Sequence, residues 1–319
     1  MIPAGKNNGL RNMVAAMNSH MPTSASVLGR LVDDIEESGP VGRLVADHPD
    51  AAEPLFGVRV LAGVRLLTLS GKAPELADHL SGLASKVGDA AFNERAWELS
   101  KQVIAQHPAE VRAALDRPVQ QHHPSRAGAL LRGISMLGDV RVRLLEIGAC
   151  AGLNLIADKY LWFGINWNWG EPRSPVRLSA SGPRPADFAI VERAGCDLQP
   201  RFGGNAEDVM ILRSFIPPER EIDQIDLDDA LALVAEANIH IDQDDAVSWL
   251  TQKLSPAHGK PDAVTVVWHS FMWWYLSAAD QQAIEEVLSS AARHTQVVRV
   301  AFEPPYAWSG NPRLQVHVY

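Results

Sequence analysis

Up to about residue 138 the apolar positions recur at helical spacing; beyond residue 140 they gather into short β-branched blocks. Leu55–Gly71 is apolar all round, which predicts a buried helix ended by Gly71. Ala90–Leu115 spaces Phe92, Trp97, Leu99, Val103 and Ile104 along a helix that Pro108 breaks or restarts. Ser125–Gly138 predicts another helix, with Ser125 as N-cap and Gly138 past its end. No strand alternation competes with these helices before residue 140.

The pattern then changes. Val140–Gly148 is an apolar strand running into a glycine turn, and Leu153–Trp162 returns to helical spacing. Ala237–Gln243, Asp262–Ser270 and Gln296–Glu303 predict further strands, separated by helix-like runs at Asp244–Leu254 and Ser277–His294. Strands alternating with helices predict a parallel sheet covered on both faces. The expected fold is α/β, a doubly wound and mainly parallel sheet preceded by an all-helical N-terminal domain. The expected division is 1–135 and 136–319. An insertion at about 162–200, rich in Trp, Pro, Gly and Ser, carries a short hairpin around Pro175–Ala180.

Composition narrows the class of function. A chain of 319 residues is long for one core, which agrees with a two-part body. A net charge of −9 argues against broad attachment to nucleic acid or anionic membrane. No run approaches the ~20 apolar residues that cross a bilayer, and no signal-peptide core follows Lys6 and Arg11. Cys150 and Cys196 are the only cysteines, too few for a disulfide framework and badly spaced for zinc. The adjacent His122 and His123 have no acidic or cysteine companions, so no metal site is expected. The default location is the cytoplasm.

The strand at Val140–Ile147 delivers Glu146 and then the turn Gly148-Ala149-Cys150-Ala151-Gly152. Strand, glycine loop and helix in that order form the nucleotide-binding arrangement of doubly wound folds. Gly148 permits the turn and Gly152 lets the helix pack close. The spacing E-x-G-x-x-x-G puts Cys150 where a dinucleotide loop needs its middle glycine. A carboxylate just before the loop would repel a pyrophosphate, but it suits the ammonium and sulfonium of S-adenosylmethionine. The alternative is a tight connection with no ligand.

Other groups would complete such a site. Asp244 and Asp245 stand between a strand and a helix, where a carboxylate accepts the adenine amino group or caps the helix. Asp197, after the candidate strand Asp187–Glu192, is placed to hold ribose hydroxyls. His269 ends a strand, where it would act as a base for the methyl acceptor or simply line a pocket with Trp273 and Trp274. Phe302–Tyr306 imitates the Asp/Asn-Pro-Pro-Tyr element of amino-group methyltransferases one strand too late, so it reads as a rigid exit from a strand.

With "LLEIGACAGLNLIADKY", "GCDLQP", "VTVVWHSFMWWYL", "GEPRSPVRL" and "LAGVRLLTLSG", the chain resembles a bacterial family called domain of unknown function 2332. The resemblance covers nearly the whole chain and implies a class I methyltransferase-like core. It singles out Glu146, Gly148, Gly152, Asn154 and Asp158, then Asp197, His269 and Ser270. Where the family tends to show Gln-Thr-Asn-Glu, this chain has "VQQHHPSR", keeping Gln120 and Arg126 without the acid. It also implies further sequence after Tyr319, which stands inside the expected strand "LQVHVY".

The leading expectation is an S-adenosylmethionine-dependent methyltransferase acting on a small molecule, with Glu146, Gly148, Cys150, Gly152, Asn154, Asp197, Asp244 and Asp245 around the cofactor and His269 as base. The helical half would serve as lid or homodimer surface. The rival is a non-catalytic protein of the same fold that senses a nucleotide metabolite or acts as a scaffold. A dinucleotide oxidoreductase is disfavoured by the missing middle glycine.

Overall fold

The computed structural model describes residues 8–51, 53, 55–259, 262–305 and 311–319. Lys6 and Tyr306, both used in the sequence reading, lie outside them. The first helices are α1 (Asn8–Met17), α2 (Pro22–Glu36), α3 (Pro40–Ala46) and α4 (Phe56–Leu69). Then come α5 (Pro74–Ser81), α6 (Ala90–Gln106), α7 (Pro108–Leu115) and α8 (Ala127–Ser135). The later helices are α9 (Ala206–Ser214), α10 (Glu221–Glu236), α11 (Ala246–Lys253) and α12 (Ala278–Ala291). The early strands are β1 (Arg141–Ile147), β2 (Leu161–Gly164), β3 (Trp167–Gly170) and β4 (Arg177–Ser179). They are followed by β5 (Ala189–Asp197), β6 (Ile241–Gln243), β7 (Val264–Ser270), β8 (Val297–Glu303) and β9 (Arg313–Val318).

The chain divides into two compact units, 1–121 with 207–225, and 122–206 with 226–319. Helix α8, counted with the N-terminal half in the sequence reading, therefore groups with the second unit. The segment 207–225 groups with the first.

Among its described residues the first unit is entirely helical. Proline opens α2, α3, α5 and α7, where a missing N–H costs nothing. Asp89 caps α6 by accepting the Phe92 N–H at 2.9 Å. Pro108 restarts the helix after a break at His107. Leu28, Val32, Phe56, Ile104 and Leu115 are fully or almost fully buried between these helices. Glu219 fastens the 207–225 segment to α2, accepting the Ser24 N–H and hydroxyl at 2.7 Å each.

The second unit is α/β. Its six-stranded sheet has the order β6-β5-β1-β7-β8-β9; only β9 runs antiparallel to its neighbour. Six of the seven β1 residues are buried, as expected of a strand covered on both faces. Buried Arg143 is satisfied by Glu192 at 2.8 Å and the Lys253 carbonyl at 3.0 Å. One face packs on α11 and α12 through Leu145, Val267, Trp249, Leu250, Ile284 and Leu288. On the other, α8 lies against β8. Successive strands go from β1 to β5 and β6 on one side, then cross to β7 and β8 on the other. That reversal falls between β1 and β7, and doubly wound sheets bind ligands outside the carboxyl ends of the strands at such a point.

Three expectations are corrected. Ser125 does not cap α8: it lies in a 3-10 turn (Pro124–Arg126), and α8 begins without a side-chain cap. The hairpin of the insertion is β2–β3, and the stretch around Pro175–Ala180 adds β4 parallel to β2 in a separate three-stranded sheet. The helix expected over Leu153–Trp162 is a 3-10 segment, Leu153–Lys159, broken at Ile156. The reason is local: Tyr160 Oη and Trp162 Nε1 donate to the Leu153 and Ala157 carbonyls at 2.7 and 2.8 Å. The Leu161 N–H meanwhile goes to Val176 O at 3.0 Å, so α-helical pairing is pre-empted.

Candidate functional site

The glycine loop is a chain of left-handed backbone positions. Gly148, Cys150 and Gly152 have φ of 69°, 48° and 74°. Glycine takes such values without strain, whereas Cys150 is a thiol carried there by its surroundings. A Cβ on Gly148 would meet Met272 at 3.1 Å, and one on Gly152 would meet Ile241 at 3.0 Å and Ile239 at 3.1 Å. The loop is stitched to the end of β5: Ala149 N–H donates to Cys196 O at 2.9 Å and Cys150 N–H to Asp197 Oδ2 at 2.9 Å. Burial, reinforced by Asp197, pushes both thiols up, so neither is a thiolate near neutral pH.

Glu146 sits below the loop, 1% exposed. Its Oε1 accepts the Asn154 side-chain N–H at 2.6 Å, while Oε2 is buried without a hydrogen bond. Burial raises this carboxyl to about 8 against the lowering contact with Asn154. Burial thus favours the neutral form of this carboxyl. Asn154 Oδ1 is likewise buried and unbonded, and Trp268, which pairs with Glu146 across β1 and β7, brings its buried Nε1 near enough to the carboxyl to oppose the rise in its pKa.

Asp197 and the two aspartates after β6 divide their work. Asp197 Oδ2 takes the loop N–H, and Oδ1 takes the Gln199 N–H at 2.8 Å. The Asp244 N–H donates to Asp197 O at 3.2 Å, which brings that backbone beside the loop partner. Asp245 is the N-cap of α11, accepting the Ser248 N–H at 2.9 Å, which holds its carboxyl below the usual range. Asp158 is occupied by a two-pronged pair with Arg193 at 2.8 and 3.1 Å.

His269 lies on the opposite face of the sheet from Glu146, because side chains alternate along β7 and Trp268 shares the Glu146 position. Its Nδ1 is 2.8 Å from Glu303 Oε1, which also accepts the N–H of Met272 at 3.1 Å and of Trp273 at 3.3 Å. The carboxylate makes Nδ1 the donor and leaves Nε2 as acceptor; Nε2 is buried without a partner. Trp273 stacks on the imidazole with centroids 4.7 Å apart. Burial lowers the His269 pKa, with Glu303 pulling it back. Ser270 follows at the half-exposed end of β7.

The structure thus gathers Glu146, Gly148, Cys150, Gly152, Asn154 and Asp197 into one cluster, with Asp244 at its margin. Asp245 sits at a helix cap and His269 across the sheet. One residue escaped the sequence reading. Glu303, set aside as a rigid strand exit, is the polar end of an apolar strand, the same signal that had picked out His269. Arg126, which the resemblance marked as kept, has its guanidinium 4.3 Å from the Phe271 ring just after β7. Burial brings Arg126 down to about 10, with Glu303 the charge that most opposes the shift, followed by Cys150 and Glu146. Among the described residues no group of His, Cys, Asp and Glu is arranged to hold a metal, and no helix is long and apolar enough to cross a membrane.

A family model described as an uncharacterized protein conserved in bacteria, domain of unknown function 2332, matches residues 9–319. The chain belongs to that family. No curated protein and no solved structure matches it.

Proposed function

We propose that this member of the family is an S-adenosylmethionine-dependent methyltransferase with a class I methyltransferase-like second unit, acting on a small molecule. The observation that carries the reading is one arrangement. At the reversal of the sheet, the loop 148–152 is pinned by Asp197 and underlain by Glu146, so carboxyl groups end the adjacent strands β1 and β5. An adenosine ligand with an amino acid arm meets acceptors at both ends there. Each Asp197 oxygen takes one backbone N–H and keeps lone pairs for ribose hydroxyls. Glu146 Oε2 and Asn154 Oδ1 are buried without a hydrogen-bond partner, and an arriving ammonium would draw the Glu146 carboxyl into its ionised, accepting form. Asp244 provides the adjoining edge for adenine.

When bound, the cofactor supplies an electrophilic methyl group on sulfonium sulfur. The chain's part is to bind it, hold the acceptor in line and exclude water. Glu303 holds His269 with Nδ1 as its donor, and for Nε2 to serve as the acceptor's base it would first have to be uncovered. One observation favours a binding-only protein of the same fold: His269 Nε2 is wholly covered.

The test is a melting-temperature titration. Adenosylhomocysteine should raise Tm saturably, because a ligand bound only by the folded chain stabilises it by mass action. Stabilisation by NAD and not by adenosylhomocysteine would overturn the cofactor class. Methyl transfer from labelled adenosylmethionine to a small-molecule library separates the enzyme from the binding-only protein.

A further inference from the structure

His269 Nε2 and Glu303 Oε2 are both buried without a hydrogen-bond partner. Native proteins leave few such atoms unsatisfied, and a second arrangement of the chain that covers them accounts for the pair. That chain is the segment 271–276. Trp273 stacks on the imidazole, and the N–H groups of Met272 and Trp273 reach the other Glu303 oxygen.

The segment is lightly held. Phe271, its first residue, has φ of 54°, a strained value for a bulky side chain. The Phe271 N–H reaches Phe302 O at 3.3 Å, and the Met272 and Trp273 N–H groups share their oxygen at 3.1 and 3.3 Å. These lengths stand at or past the long end of ordinary N–H···O bonds. At the far end Gln281 Nε2 donates to the Trp273 and Leu276 carbonyls at 2.9 and 3.3 Å. Met272, Trp273 and Leu276 pack on the core formed with α11 and α12, which makes the covered arrangement the resting one.

Met272 joins this cover to the glycine loop. Its Cγ stands 3.1 Å from where a Cβ on Gly148 would lie, so it fills the space over that glycine. Met272 and Trp273 hang from the same Glu303 oxygen, and moving the first shifts the second.

We infer that Met272 is a positioning residue: a ligand seated over Gly148 pushes it aside, and Trp273 follows, uncovering His269 Nε2. This rests on the cofactor reading in one respect, that the ligand is adenosylmethionine or its product. The base then stays closed until the cofactor is in place, the commitment that moving loops impose on many enzymes. The ligand opens the cover as far as it prefers the open arrangement.

Acylation by diethyl pyrocarbonate, mapped by peptide mass spectrometry, reads His269 directly, with exposed His20 as internal reference. In free wild type His269 should react at least tenfold more slowly than His20. Saturating adenosylhomocysteine should speed His269 at least fivefold and leave His20 unchanged. Met272→Ala, folded by circular dichroism and still stabilised by adenosylhomocysteine, should lose that acceleration, and Met272→Leu should regain part of it. Acceleration kept in full by Met272→Ala, or a ligand that raises Tm without speeding His269 in wild type, overturns the inference. If adenosylhomocysteine does not raise Tm, the cofactor reading fails and Gly148→Asn decides the inference by itself. Asparagine tolerates the left-handed backbone and presses a side chain against Met272. Faster His269 acylation in Gly148→Asn that adding Met272→Ala cancels upholds the inference, and acylation unchanged from wild type overturns it.

Discussion

Glu303 Oε1 accepts the Nδ1 hydrogen of His269 at 2.8 Å and, with the same oxygen, two backbone N–H groups of the segment after β7. One carboxylate at the end of β8 thus fixes both the imidazole tautomer and the position of Met272 and Trp273. Glu303→Ala would strand three donors in a buried place and should cost about 3 kcal/mol in urea unfolding. Glu303→Gln keeps an acceptor and should cost less, while lowering the His269 pKa further. Equal stability of Glu303→Ala and wild type would show that the segment is held by other contacts.

The raised carboxyl of Glu146 makes a signed prediction. Its folded value of about 8 stands above the ordinary 4.5, so its stabilising contribution is present below about 4.5 and lost as pH rises to about 8. Glu146→Gln carries no such penalty. The stability of the variant relative to wild type should therefore climb between pH 5 and 8, on the order of a few kcal/mol, and level off above. A difference independent of pH would mean that Glu146 ionises freely in the folded chain.

Asp197→Asn separates the structural from the ligand role of that carboxylate. The amide oxygen can still accept the Cys150 N–H, so stability should fall by no more than ~1.5 kcal/mol. Affinity for adenosylhomocysteine should fall at least tenfold, because the charge facing the ribose is gone. A variant that binds as wild type does would confine Asp197 to holding the loop.

Much of the second unit was legible because its signals are local. The apolar block of β1, the β-branched runs of β7 and β8, and Gly148 and Gly152 each announce a backbone state within a few residues. Helices α9 and α10 were missed: their polar and apolar positions are mixed, and α10 has only Leu227, Ala230, Leu231 and Val234 buried along its length. The 3-10 segment was read as a helix because its fate depends on Tyr160 and Trp162 side chains claiming nearby carbonyls, which the spacing of apolar positions does not reveal. Residues at the candidate site were found where they sit beside a glycine turn. Glu303 was passed over because its importance arises from His269 on the neighbouring strand. The upward shift of the Glu146 carboxyl was not legible for a related reason: its burial is set by strands on either side.

Both thiols are buried and pushed upward, so native protein should react with a thiol reagent at neutral pH only as fast as it opens. Since the Cys150 backbone is clasped by Asp197 and Arg201, adenosylhomocysteine should slow labelling further. Immediate labelling of one thiol in the native state would contradict the closed loop.

The central claim is that the loop 148–152 and Glu146 hold the amino acid end of an adenosine ligand. Isothermal titration of adenosylhomocysteine into wild type and Glu146→Gln, both folded by circular dichroism, tests it most directly. The account predicts saturable binding to wild type and a loss of roughly 1.5–3 kcal/mol in the variant, the range for hydrogen bonds to charged groups. Equal binding by the two proteins, or no binding by wild type, would contradict it.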